Sequence, residues 1–191
     1  MKPQFTSSAC SIASVTAAIN GLKGLPSHAE DKVLSQPELL EKIGDPLWAK
    51  LSAEEGDGVT IAQLAAYAGA AVQAADLQGY EVESYQPESA DEASLSRVRD
   101  ILAANEKSAS DALLVYFNQG VVTGDWDGPH VSLIGAYDAD KDRVLVLEVD
   151  QDWYIPYWTP TSVLLDAMIK PTSAEHGPLE GETGGFVWLK R

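Results

Sequence analysis

The sequence predicts a single α+β domain over residues 1–191, mainly helical through residue 110 and mainly β from 111 onward. Three observations carry that expectation. Apolar residues recur at helical spacing in Ile12, Val15, Ile19 and Leu22, and again in Leu95, Val98, Ile101 and Leu102. Leu113, Leu114, Val115, Tyr116 and Phe117 form a short apolar and aromatic run, as a buried strand does. Residues 130–137 and 143–149 read as two strands joined across the acidic turn 138–142. Helices first and antiparallel strands second describe a helical part packed on a β part.

In chain order, the first helix follows a polar loop and starts at Cys10, with Asn20 and Gly21 as its stop. Residues 23–35 are a connection punctuated by Gly and Pro, and residues 37–51 hold short helices broken at Gly44, Asp45 and Pro46. After the loop 54–58, Thr60 opens a helix with Gln63 completing a capping box; Leu64, Tyr67 and Ala68 form its apolar face and Gly69 its end. Residues 72–77 and 81–85 are weaker strand candidates. Asp91 or Ser94 starts the helix that ends near Asn105. Pro160 and Thr161 open a last helix through Met168, and residues 185–189 make a closing strand.

Composition narrows the function classes. With a net charge of −16 and no cluster of Lys or Arg, the chain suits neither nucleic acid nor anionic lipid. One cysteine excludes an internal disulfide and any thiolate metal cluster. No apolar run approaches bilayer length. Residues 1–3 have no apolar signal core behind them and Gln4 follows at once. That fits either a soluble chain of a bacterial-type periplasm with its signal removed, or a cytoplasmic one.

The lone Cys10 stands where a loop becomes a helix. Taken alone, such a cysteine reads as a small core residue. On a helix's first turn, unpaired N–H groups and the macrodipole favour its thiolate. A cysteine nucleophile also needs a base, and the base an orienting acceptor. His28 sits in a Pro/Ser loop and His176 in a Gly/Pro-rich tail, both expected to be solvated. His130 opens a strand directly behind Asp125, Trp126, Asp127, Gly128 and Pro129, which suits the base. If the hairpin pairs even residues with even, His130, Ser132 and Ile134 share a face with Val146, Glu148 and Asp150. Either acid then reaches the ring, and plain hairpin geometry slightly favours Asp150. Gln4, six residues before Cys10, can join the Cys10 backbone N–H in an oxyanion hole. Asp138, Asp140 and Asp142 imitate the start of a calcium loop, but Arg143 holds the obligatory glycine position, Glu148 is one residue short of the bidentate slot, and strands flank it.

Residues 4–10 running into Ala13, Ser14, Ile19, Asn20, Gly21 and Leu22 resemble the catalytic domain of phytochelatin synthase, a papain-like cysteine acyltransferase. The resemblance continues through residues 58–60, 130–137, 142–149 and 154–158, then Ala167, Met168, Gly185 and Phe186. It implies a papain-like fold with Cys10 as nucleophile, His130 as base, Gln4 as oxyanion donor and Glu148 as the triad acid, with Asp150 as runner-up. The family's acid is usually aspartate, so glutamate is a departure. Thr6, Gly128, Pro129 and Gln151 are the candidate substrate-binding residues. Relatives acting on glutathione place arginines at three positions that read Asn118, Gln151 and Gly184 here. Losing those guanidinium groups weakens the case for a doubly charged peptide.

The resemblance implies removal of glycine from glutathione or a related small thiol peptide, with hydrolysis or transpeptidation following. A papain-like peptidase or amidase on a less acidic peptide is the alternative, and a non-catalytic binding module the third reading. No cofactor or protein metal site is implied; a heavy-metal ion enters only as a thiolate complex of the substrate. A homodimer is compatible with the sequence.

Overall fold

The Cys10–Lys23 helix, α1, buries Ile12, Val15 and Ile19 completely, as their spacing requires. In the computed structural model, which describes residues 2–24, 26, 28 and 33–191, α1 runs past the expected stop. It ends at Gly24, whose φ of 79° is the left-handed conformation glycine supplies cheaply. Asn20 is not a cap. Its side chain donates to the Leu34 carbonyl at 2.8 Å and accepts the Leu34 N–H at 3.0 Å, fastening α1 to the segment before α2 (Gln36–Ile43). Residues 25, 27 and 29–32 of the expected 23–35 connection lie outside the described residues.

Helix α2 starts on a Ser35/Glu38 capping box and stops at Gly44; α3 (Pro46–Leu51) follows with Asp45 as its cap. Fully buried Trp48 stacks on Tyr67 at 4.5 Å and donates its indole N–H to Ser11 Oγ at 3.0 Å. Helix α4 (Ile61–Ala74) opens on the expected Thr60/Gln63 box but does not stop at Gly69. Leu64, Ala68, Ala71 and Val72 extend one buried stripe, so the strand expected at 72–77 is instead the end of α4 followed by a turn. Then come β1 (Glu81–Tyr85), α5 (Glu92–Glu106, capped by Asp91), β2 (Ala112–Asn118) and α6 (Gln119–Thr123). The chain closes with β3 (Pro129–Asp138), β4 (Arg143–Leu147), β5 (Tyr157–Pro160), α7 (Thr161–Ile169), a 3₁₀ segment (Ala174–Leu179) and β6 (Gly185–Lys190).

All six strands form one antiparallel sheet in the order β1-β6-β2-β3-β4-β5. The first and last parts of the chain therefore share a sheet, because β1 pairs with β6 rather than staying with the early helices. Helices cover both faces. Leu114, Tyr116, Val131 and Leu133 pack in one core with α1, α2 and α4, while Leu113, Val115, Phe117 and Ile134 pack in another with α5 and α7. Burial on both faces explains why β2 reads as an unbroken apolar run. Each fully buried large aliphatic contributes about 1.5–3 kcal/mol.

This is the expected α+β arrangement, with a helix N-terminus delivered to an antiparallel sheet. The hairpin carries a detail absent from the sequence reading. Near the turn Asp138 faces Arg143 and Ala136 faces Leu145, odd with even; beyond a bulge at Gly135, Ile134 faces Val146 and Leu133 faces Leu147. One extra residue thus restores the even-with-even register where His130 lies.

Candidate active site

Cys10 is the first residue of α1, and Ala9 before it supplies no side-chain cap. The helix's leading N–H groups therefore stay available to a ligand. Two hydrogen bonds fix this end. Ser14 Oγ donates to the Val131 carbonyl at 2.9 Å, and the Gln4 N–H donates to the Val149 carbonyl at 2.8 Å.

His130 begins β3 opposite Phe117, whose ring it meets edge-on at 5.7 Å. Its Nε2–H donates to Glu148 Oε1 at 2.6 Å, and the Cys10 sulfur is the ring's other hydrogen-bonding partner. Burial disfavours the charged ring, yet the Cys10 and Glu148 contacts outweigh it and push the His130 pKa up to about 10. Glu148 has no exposed surface. Burial opposes its ionisation, but His130 and the N–H groups of Val149 and Asp150, at 2.7 and 2.8 Å, hold its carboxyl below the usual range. The longer glutamate side chain fits because β4 ends at Leu147 and the next backbone turns its N–H groups onto the carboxylate. Asp150, favoured by bare hairpin geometry, makes no side-chain hydrogen bond to His130; its carboxyl is raised by burial and by the nearby Glu148 and Asp152 charges.

Two further residues complete the surroundings: Ser132, placed on this face by the sequence reading without a role, and Gln119, which it did not single out. Gln119 Nε2 donates to Glu148 Oε2 at 3.2 Å, and Ser132 Oγ lies 3.4 Å from both His130 Nε2 and Glu148 Oε1. Ser132 follows from strand alternation. Gln119 starts a five-residue helix that carries no periodic signal.

Cys10 and His130 open on a cavity of about 510 Å³ that also receives Gln4, Pro129 and Asp150. Gln4 Nε2 donates to the Ser7 carbonyl at 3.3 Å, beside Cys10 in sequence and cavity. Other candidates fall elsewhere. Thr6 is not on the cavity, because its hydroxyl donates to the Ser52 carbonyl at 2.6 Å and locks the N-terminal loop. Gly128 is buried behind Trp126, whose indole fills the space a Cβ would need. Gln151 is exposed and donates to the Glu148 carbonyl at 3.1 Å. His176, expected to be solvated, lies on the cavity and donates to the Asp127 carbonyl at 2.7 Å; His28 stays exposed and off it.

A family profile described as Phytochelatin synthase matches residues 1–177. The chain belongs to the phytochelatin synthase family. Curated relatives include glutathione gamma-glutamylcysteinyltransferase 3 of Lotus japonicus, 29% identical over 167 residues, covering 83% of this chain and 30% of that protein. Glutathione gamma-glutamylcysteinyltransferase 1 of Triticum aestivum is 27% identical over 180 residues, covering 90% of this chain and 31% of that protein. This chain therefore spans less than a third of the relatives' length. Among solved structures, the crystal structure of the Pseudomonas avirulence protein AvrPphB covers 96% of this chain and 92% of that one, at 8% identity and a TM-score of 0.42.

Against the phytochelatin synthase pattern, the three positions expected to carry arginine are engaged in other contacts. Asn118 caps α6 through the Val121 N–H and donates to Asp127 Oδ1 at 2.7 Å. Gln151 is turned onto the Glu148 carbonyl. At Gly184, a Cβ would overlap the Tyr116 carbonyl oxygen. No described helix is long and apolar enough to cross a membrane.

Proposed function

We propose that this chain is a cysteine acyltransferase of the phytochelatin synthase type, acting through a thioester on an amide of glutathione or a related small thiol peptide. The reading is supported above all by one relationship: the His130 ring touches the Cys10 sulfur on one side and the Glu148 carboxylate on the other, at a cavity large enough for a tripeptide.

The Cys10 thiolate attacks the amide carbon, and the carbonyl π electrons move to oxygen. The Cys10 N–H and Gln4 Nε2 receive that oxyanion. As the C–N bond breaks, the His130 imidazolium gives its proton to the departing amine. Water then hydrolyses the thioester, or an acceptor amine takes the acyl group, with His130 removing the incoming proton. Glu148 orients the ring and offsets its charge, and Gln119 and two backbone N–H groups hold Glu148. A heavy-metal ion takes part only as a thiolate complex of the substrate.

Incubation with glutathione tests the reaction. Free glycine is expected from the wild type and none from Cys10→Ser. Absence of glycine from unmodified wild type, when a parallel sample shows its Cys10 fully reactive towards iodoacetamide, would reject glutathione as donor.

A further inference from the structure

We propose that the leaving-group side of this cavity selects a cationic amine, so that the preferred donor is a thiol-peptide amide whose departing half carries an ammonium rather than a carboxylate. The inference rests on the acyl-transfer reading above and deepens it. His130 protonates the leaving amine, so that amine lies on the side of His130. The loop leading into His130 puts Asp125 and Trp126 on the cavity, and the segment after Glu148 adds Asp150, Trp153 and Tyr154. Tyr154 Oη donates to Asp125 Oδ2 at 3.2 Å, joining these two walls.

Apart from the His130 imidazolium, whose proton goes to the departing amine, charge is one-sided here. Asp57, Asp125 and Asp150 all line the cavity, and no Lys or Arg does so among the described residues. Lys170, just after α7, pairs its charge with Asp127 at 2.7 Å, away from the cavity lining. The carboxylate of Asp150 accepts no hydrogen bond among the described residues, while it shares its surroundings with Glu148 and Asp152. An anionic leaving group meets repulsion from these walls, and the net charge of −16 adds to it. A cation meets carboxylates, and it also meets the exposed indoles of Trp126 and Trp153, whose faces attract positive charge.

A second observation points to a polar ligand in the same space. Tyr116 is only 2% exposed and lines the cavity near Cys10, and apart from Thr172 beside it its hydroxyl has no hydrogen-bond partner among the described residues. Buried hydroxyls are ordinarily paired. A substrate amide or ammonium reaching past Cys10 would satisfy it.

Three donors sharing a γ-glutamylcysteinyl acyl half and differing only in the leaving amine test this: glycine, glycinamide and 1,3-diaminopropane. With amine release followed at low and high salt, kcat/KM is expected to rise in that order, by about tenfold between the ends, as one well-placed ion pair supplies. The spread should narrow in high salt and in Asp125→Asn and Asp150→Asn. The inference is overturned, with the acyl-transfer reading intact, if the glycine donor is cleaved as well as or better than the diamine donor, or if both substitutions leave the order and spread unchanged. Release of no amine from any donor, while iodoacetamide still alkylates Cys10, overturns both.

Discussion

Ser14 Oγ donates a 2.9 Å hydrogen bond to the carbonyl of Val131, so the helix that begins with Cys10 is bolted to β3 one residue beyond His130. Both partners are buried. Distance between sulfur and imidazole is thus set by a contact one helical turn from Cys10 and one strand residue from His130.

Ser14→Ala leaves the Val131 carbonyl without its buried partner. It should lower stability by about 1–3 kcal/mol in urea unfolding. It should also depress kcat more than KM, because the two reacting groups lose their common anchor. An unchanged kcat would mean that other packing fixes their spacing.

Glu148 and Asp150 separate cleanly by substitution. Glu148→Gln keeps shape but removes the acceptor charge from His130, and should reduce kcat by roughly 10²–10⁴-fold, the range of comparable triad changes. Asp150→Asn should leave glycine release from glutathione within a few fold or raise it. A larger loss at Asp150 than at Glu148 would reverse the assignment of the acid.

The pH dependence of stability follows from the same pair, with opposite signs at the two ends. Against burial, His130 and backbone N–H groups hold the Glu148 carboxyl low, so its contribution is complete above about pH 4.3 and is lost as pH falls through the lower folded value. Also against burial, Cys10 and Glu148 raise the pKa of His130 to about 10, so its contribution is complete below about pH 6.5 and drains away as pH climbs towards 10. Urea midpoints measured from about pH 2 to 10 should show both limbs. His130→Gln should remove the alkaline limb, and Glu148→Gln should shrink both.

Gly135 is where the β3–β4 register changes, and a Cβ there would lie 2.7 Å from the Leu147 side chain. Gly135→Ala should cost about 1–3 kcal/mol through overpacking. It should also lower activity, because Leu147 is the last residue of β4 before Glu148. Adding Leu147→Ala should recover part of the lost activity; independent effects of the two changes would show that the bulge does not position the acid.

Much of this was legible in the residues themselves. The capping box at Thr60/Gln63, the Asp91 cap and the apolar periodicity of α1 and α5 are local signals, and they placed those helix starts well. Ends were read less well. Gly69 sits inside a helix whose buried stripe continues to Ala71 and Val72, so tertiary packing overrides the propensity of a single glycine, and Gly21 is carried within α1 with only half-buried Leu22 packing beyond it. Layering was also out of reach. Nothing local in residues 81–85 announces a pairing with the chain's last strand, and that pairing draws the late strands between two sets of helices.

At the site, the proximity of Cys10 to His130 was anticipated from the loop-to-helix step and the strand start together. The hydrogen bond from His130 to Glu148 was not fixed by hairpin geometry, because it depends on the bulge at Gly135 and on β4 ending one residue early. Thr6 and Gln151, the other substrate-binding candidates, hydrogen-bond instead to the Ser52 and Glu148 carbonyls, a direction of the side chains that no local sequence signal announces.

Gly184 has a consequence for how this protein can change. Any side chain at that position runs into the main chain of β2 at Tyr116, so swapping one residue for another cannot deliver a new group there. The neighbouring strands would first have to slide apart. Mutational drift towards recognition of a second acid on the ligand is therefore barred at 184, while at 151, on the open surface, it remains a single codon away.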